Sequence, residues 1–173
     1  MKYAYTQNNI VLQILRVPPA NLYAPEFAEQ FIECGDDVEV GWLWGGESFT
    51  PPPAPPLADL KAAKNDEINA ARLAANFSTF QHAGKAIACD QRSRSDIDGT
   101  NGFVALYGAL PPGWPGGWKA ADNTYVAIAT VADWKAFYAS MFAAGNANFA
   151  KAQALKTQLD AATTAEQVAA IAW

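Results

Sequence analysis

Residues 38–60 read VEVGWLWGGESFTPPPAPPLADL, and the stretch changes character three times. The alternation from Val38 to Trp44 predicts a β-strand with Val38, Val40, Trp42 and Trp44 on one face and Glu39, Gly41 and Leu43 on the other. Gly45 and Gly46 turn the chain, and Ser48-Phe49-Thr50 answers as a return strand. Pro51 to Pro56 (PPPAPP) then favours polyproline II, which rises about 3.1 Å per residue without internal hydrogen bonds. Lying between two patterned segments, the tract reads as a semi-rigid spacer rather than as a proline-rich ligand. Beyond it, Leu57, Leu60, Ala63, Lys64, Ile68, Ala71 and Ala75 approximate one stripe at 3.6-residue spacing, which predicts a helix. The expected organisation is a small β-rich attachment unit over 1–50, a polyproline linker over 51–56, and a helical α+β domain over 57–173.

Towards the N-terminus, KYAY alternates, Gln7-Asn8-Asn9 supplies turn chemistry, and IVLQILRV is apolar enough for a central strand. Asparagine tolerates the positive φ that a tight hairpin demands. After Pro18-Pro19, the segment APEFAEQF reads as a loop with short helical character, followed by FIEC and a turn at Gly35-Asp36-Asp37. A unit this small buries little apolar area and is expected to lean on a partner or on the rest of the chain.

Towards the C-terminus, STFQHAGKAIAC reads as two short strands turning at Gly84, and Asp90 caps a helix over QRSRSDIDGTNGFVALYGAL. Its interior Gly99 and Gly102 are read as marks of close helix packing. A proline- and glycine-rich loop, PPGWPGGW, leads into a hairpin turning at Asp122-Asn123. Thr130 with Asp133 forms a capping box before a long final helix whose weak point is Gly145-Asn146, and Thr163 with Glu166 forms a second box. The fold class is therefore α+β: a β-rich unit, then helices with short hairpins and a long C-terminal helix.

Composition narrows the function. The 173 residues carry 12 Lys and Arg against 17 Asp and Glu, a formal charge of −5 with no basic run, which argues against nucleic acid as a partner. No apolar stretch approaches the roughly 20 residues that span a bilayer, so no membrane insertion is expected. The N-terminal segment lacks a signal-peptide core, and synthesis in a cytoplasm follows, with Cys34 and Cys89 expected as free, partly buried thiols.

Motifs for chemistry are absent. A lone histidine, His82, and two distant cysteines do not make a zinc set, and no nucleophile elbow or phosphate-cradling glycine loop occurs. SDIDGTNG, Ser95 to Gly102, fails as a calcium loop: counted from Asp96, its sixth position is Asn101 and its twelfth Tyr107, where glycine and glutamate are required. No enzyme activity, cofactor or metal is expected. Six tryptophans remain. Trp134 and Trp173 are expected on helices, Trp134 as a core anchor, whereas Trp114 and Trp118 have little local core to enter. Because Trp and other large rings dominate interface hot spots, the candidate protein-interface residues are Trp42, Trp44, Phe49, Trp114 and Trp118.

Tyr3-Ala4, Val11, Val40-Gly41-Trp42, Gly46, Phe49-Thr50 and the prolines that follow resemble the N-terminal unit of bacteriophage tail proteins of the tail-fibre and tail-fibre-assembly neighbourhood. Asp90, Ser93, Ile97, Trp118, Asp122-Asn123 and Ala129-Thr130 resemble an uncharacterised C-terminal domain common in such proteins. Leu43-Trp44 departs from the pattern, which often has a tyrosine and an acid there, and the proline-glycine loop is richer in tryptophan. The resemblance implies a structural component of a phage tail, in the fibre or baseplate region, or alternatively a chaperone of tail-fibre assembly. It also implies other tail proteins as partners, a tail-fibre subunit among them, a homo-oligomer, and residence in the virion tail after synthesis in the bacterial host cytoplasm.

Overall fold

The computed structural model describes residues 1–173, and the chain divides into two compact units, Met1–Pro55 and Pro56–Trp173. Each has its own buried core. The whole is an α+β protein.

The first unit is a five-stranded sheet in the order β3-β1-β2-β4-β5. Strands β1 (Lys2–Gln7) and β2 (Ile10–Leu15) form the predicted hairpin, turning on Asn8 and Asn9 at φ 52° and 62°. That pair of positive φ values matches the right-handed strand twist, which explains two asparagines here. A register shift between Tyr5 and Thr6, which pair with Gln13 and Val11, leaves Leu12 without a partner. β3 (Phe31–Cys34) borders β1 at one edge. β4 (Leu43–Trp44) and β5 (Phe49–Thr50) form the other.

The strand expected over Val38–Trp44 is only Leu43–Trp44. Gly41 adopts φ +92°, and the turn it makes closes with the Trp42 N–H donating to the Glu39 carbonyl at 3.2 Å. Alternation ends at that turn: Val38 is 4% exposed and Val40 60%, so the two do not share a face. The segment still attaches to β2, because the Gly41 N–H donates to the Val11 carbonyl and the Val11 N–H to the Trp42 carbonyl, both at 2.8 Å.

Both sheet faces are covered. On one, Ala4, Val11, Cys34 and Val38 are buried, with Ile14, Trp42 and Phe49 packed against them. On the other, Tyr5 and Phe31 meet Tyr23 and Phe27 from the connection between β2 and β3, which includes a short helix, α1 (Pro25–Ala28). Pro51 to Pro56 are exposed, and Pro56 sits at φ −54°, ψ 144°, in the polyproline II region.

The second unit begins with α2 (Leu57–Asn76), then the hairpin β6 (Thr79–His82) and β7 (Lys85–Ala88). α3 (Gln91–Tyr107) starts where the Asp90 carboxylate accepts the N–H groups of Arg92 and Ser93, at 3.0 and 3.1 Å. β8 (Gly117–Lys119) pairs with β9 (Tyr125–Ala127), and this hairpin is tied to the earlier one by the Ala121 N–H donating to the Ala86 carbonyl at 2.9 Å.

The spine is α4 (Val131–Ala161), 31 residues long and continuous through Gly145-Asn146. Its capping box forms as predicted, Thr130 accepting from the Asp133 N–H and Asp133 from the Thr130 N–H. One helix serves two cores. Trp134, Phe137 and Met141 from its first half join Phe80, Ile87, Ile97 and Ile128; Ala152, Leu155 and Leu159 from its second half join Ile68, Val168 and Ile171. The spacing 134, 137, 141 and 152, 155, 159 keeps one stripe on the helix inside.

Four further expectations are corrected. Gly99 and Gly102 do not mark close packing, since a Cβ at either meets nothing within 4 Å. Ala63 lies exposed, off the buried stripe of α2, whose one buried residue is Ile68. The second capping motif is one residue later: Thr164 caps α5 (Ala165–Ala169), while the Gln167 side chain accepts from the Thr163 N–H. Glutamine at the third helical position reaches back where Glu166 is too early to do so. Trp173 lies beyond α5 rather than on a helix.

Candidate docking surfaces

Trp42, Trp44 and Phe49 are gathered at the β4–β5 side of the first unit, all half-buried. Trp44 and Phe49 lie directly opposite across the hairpin, ring centroids 4.5 Å apart at 40°. Cross-strand aromatic pairs of this kind stabilise a short sheet. Trp42 and Phe49 also pack on the buried Ala4–Val11–Cys34–Val38 cluster. The three residues therefore hold the sheet edge together and present part of each ring to solvent.

Trp114 and Trp118 lie in the other unit, and there the structure corrects the premise that they lack a core. The Trp114 indole N–H donates to the Ile128 carbonyl at 2.7 Å, and its ring meets the fully buried Trp134 edge-on at 5.5 Å. Trp118 packs against Trp134 at 5.8 Å and Phe137 at 5.6 Å, and the two loop rings stack at 6.2 Å. An indole packed against a core needs a partner for its N–H, and the loop folds back so that Trp114 reaches one at Ile128. Both rings remain half-buried, closing one side of the core with their outer faces accessible.

The residues with chemical potential occupy structural contacts. His82 Nδ1 is 2.8 Å from Ser140 Oγ, and the imidazole stands edge-on to Phe137 at 5.3 Å. The Ser140 Oγ also lies 3.1 Å from the Ala136 carbonyl one turn earlier in α4, so its hydroxyl has an acceptor within its own helix. Asp98 accepts from the Tyr138 hydroxyl at 3.3 Å and lies 3.7 Å from Arg94 Nε, linking α3 to α4. Burial, then the neighbouring Asp98 carboxylate, pushes the Tyr138 phenol up. Cys34 and Cys89 are free and buried, and burial raises both thiols, in Cys89 despite the nearby Arg94 guanidinium. No three His, Cys, Asp or Glu side chains converge on a metal-sized site.

Sequence reading missed a groove on the aromatic face of the first unit. About 380 Å³ in volume, it is lined chiefly by Tyr3, Pro18, Pro19, Tyr23 and Phe31, with Glu29 in its wall. Tyr23 stacks on Phe31 with centroids 5.5 Å apart and planes at 16°, and meets Phe27 edge-on at 5.0 Å. The signal was present as Tyr23, Phe27 and Phe31 at four-residue intervals, around a segment read as a loop with short helical character followed by FIEC. The groove also lies on the charged part of the chain. Lys2 and Arg16 face seven carboxylates, Glu26, Glu29, Glu33, Asp36, Asp37, Glu39 and Glu47, so the whole side-chain charge of −5 resides in the first unit and the second is balanced.

A family model described as a domain of unknown function, DUF4376, matches residues 59–172. No curated protein matches the chain.

Proposed function

Residues 59–172 place the chain in the DUF4376 family, and for the whole chain we propose that it is a structural component of a bacteriophage tail, in the tail-fibre or baseplate region, acting by binding other proteins rather than by catalysis. The observation that carries this reading is the build of the first unit. It is a small sheet with unpaired outer edges at β3 and β5, half-buried tryptophans beside one edge, and an exposed proline tract leading away. Open strand edges are surfaces that other chains can extend. The residues that resemble phage tail proteins, from Tyr3-Ala4 to Pro55, fall within this same unit. In this reading the partners are other tail subunits, the assembly is a homo-oligomer, and the protein resides in the virion tail after synthesis in the host cytoplasm.

Quantitative mass spectrometry of purified, mature particles, counting this protein against the major tail subunit, tests the proposal. A fixed stoichiometry in multiples of three or six is expected for a symmetric tail component. Absence from particles, with recovery on a fibre protein in the cell lysate, would instead make it an assembly chaperone. Trp44→Ala removes a half-buried ring of β4 and is expected to lower particle incorporation while the melting transition of the second unit within the full chain is unchanged. Full incorporation of both Trp42→Ala and Trp44→Ala would remove these side chains from the interface.

A further inference from the structure

We propose that the groove between Tyr3, Pro18, Pro19, Tyr23 and Phe31 is a docking site for an extended, proline-rich segment of another protein that carries an arginine or lysine beside its prolines. Three features of the groove fit that ligand. Its surface is built of flat rings, with Tyr23 and Phe31 stacked as one slab and Pro18 and Pro19 beside them. Polyproline II segments are recognised by aromatic-lined grooves, because the ligand is pre-ordered and loses little entropy on binding.

The second feature is a hydrogen-bond donor. The Tyr23 oxygen accepts from Gln13 Nε2 at 3.0 Å, which fixes the phenol and leaves its own proton to donate. A polyproline II backbone has no internal hydrogen bonds, so its carbonyls are free to accept that proton.

The third is charge. Glu29 lines the groove, is exposed, and makes no ion pair. It belongs to the unit that carries the full −5. A cation next to the ligand's prolines gains from both the single carboxylate and the surrounding field. The same feature disfavours this chain's own tract as the ligand: Pro51–Pro56 is preceded by Glu47 and followed by Asp59, with Lys61 the first cation beyond it.

The inference stands apart from the tail reading, since particle counting tests that and peptide titration tests this. Calorimetric titration of the full chain uses three synthetic probes: a ten-residue polyproline II peptide ending in arginine, the same peptide ending in glutamate, and a peptide of residues 47–58. The arginine peptide is expected to bind about fivefold tighter than the glutamate peptide, the scale of one exposed ion pair. Glu29→Gln is expected to erase that preference, and Tyr23→Ala to abolish binding of either proline probe. Because Tyr23 also packs on Phe27 and Phe31, the exposed Glu29→Gln variant keeps the test decisive if Tyr23→Ala fails to fold. Equal affinity for the arginine and glutamate peptides, no binding of either, or tightest binding of the 47–58 peptide would each overturn the proposal, the last by making the chain its own ligand.

Discussion

At the residue scale, the second unit depends on one aromatic centre and on a set of carboxylates at its helix starts and turns. Trp134 is fully buried and touches Trp114, Trp118 and Phe137, and its indole N–H reaches Asn101 Oδ1 at 3.4 Å. Truncation there removes transfer energy and leaves a cavity ringed by rigid rings that cannot collapse into it. Trp134→Ala is expected to destabilise the unit by about 3–5 kcal/mol, measured by denaturant unfolding followed through the remaining tryptophans. The carboxylates act through pH. Hydrogen bonds from Ser93 to Asp90, from Thr124 to Asp122 and from Thr130 to Asp133 hold each carboxyl below its ordinary range. A depressed folded-state pKa means the folded chain binds protons less readily than the unfolded one. Its contribution is therefore complete above the unfolded value, about 3.9 for aspartate, and is lost as pH falls through the folded value. Stability is expected to drop as pH is lowered from about 4, and Asp133→Asn, which keeps an acceptor at the cap but no titration, is expected to flatten that slope in urea melts taken across the acid range.

At the element scale, α4 is the longest piece and carries a helix-weakening residue in its middle. Gly145 does not break it, because each half is fixed by a different core: Trp134, Phe137 and Met141 before it, Ala152, Leu155 and Leu159 after it. Tertiary packing thus outweighs the backbone-entropy cost of an interior glycine. A Cβ at Gly145, as at Gly99, meets nothing within 4 Å. Gly145→Ala and Gly99→Ala are each expected to stabilise the unit by about 0.5–1 kcal/mol, read as a higher denaturation midpoint. Gly117 behaves in the opposite way. A Cβ there would lie 2.6 Å from the Val126 carbonyl oxygen across the β8–β9 hairpin, a backbone atom that cannot swing aside. Gly117→Ala is expected to lower the midpoint, and a rise would show that the hairpin relaxes freely.

At the scale of the whole molecule, the two units differ in how much they bury. Within the first, four side chains form the enclosed aliphatic cluster, while the second encloses two larger clusters strung along one helix. A fragment spanning residues 56–173 is therefore expected to fold alone and melt cooperatively, with the midpoint it has in the full chain, by circular dichroism. A broad melt of that fragment would show that it needs the first unit. The first unit, at 55 residues, falls in the size range where burial barely offsets chain entropy. Its aromatic face, with Tyr5, Tyr23, Phe27 and Phe31 in mutual contact, supplies apolar area that the small aliphatic face does not.

What the sequence determined by itself was what local chemistry controls. The Asn8-Asn9 turn, the Asp90 cap and the Thr130–Asp133 box follow from φ preferences and short-range hydrogen bonds. Residues close in sequence decide these, so reading them needs no partner. Tertiary structure decided what depends on distant residues. Alternation from Val38 to Trp44 gave no warning that Gly41 would turn the chain to satisfy Val11, a hydrogen-bond partner thirty residues away. Trp114 and Trp118 looked unhoused because the core that receives them, Trp134 with Phe137, comes from a helix after the next hairpin. The Tyr23–Phe31 groove likewise exists only once the connection between β2 and β3 lies across the sheet face that Tyr3 and Tyr5 share. Periodicity ranks each residue against its own neighbours, whereas burial and concavity are set by whichever segment folds on top.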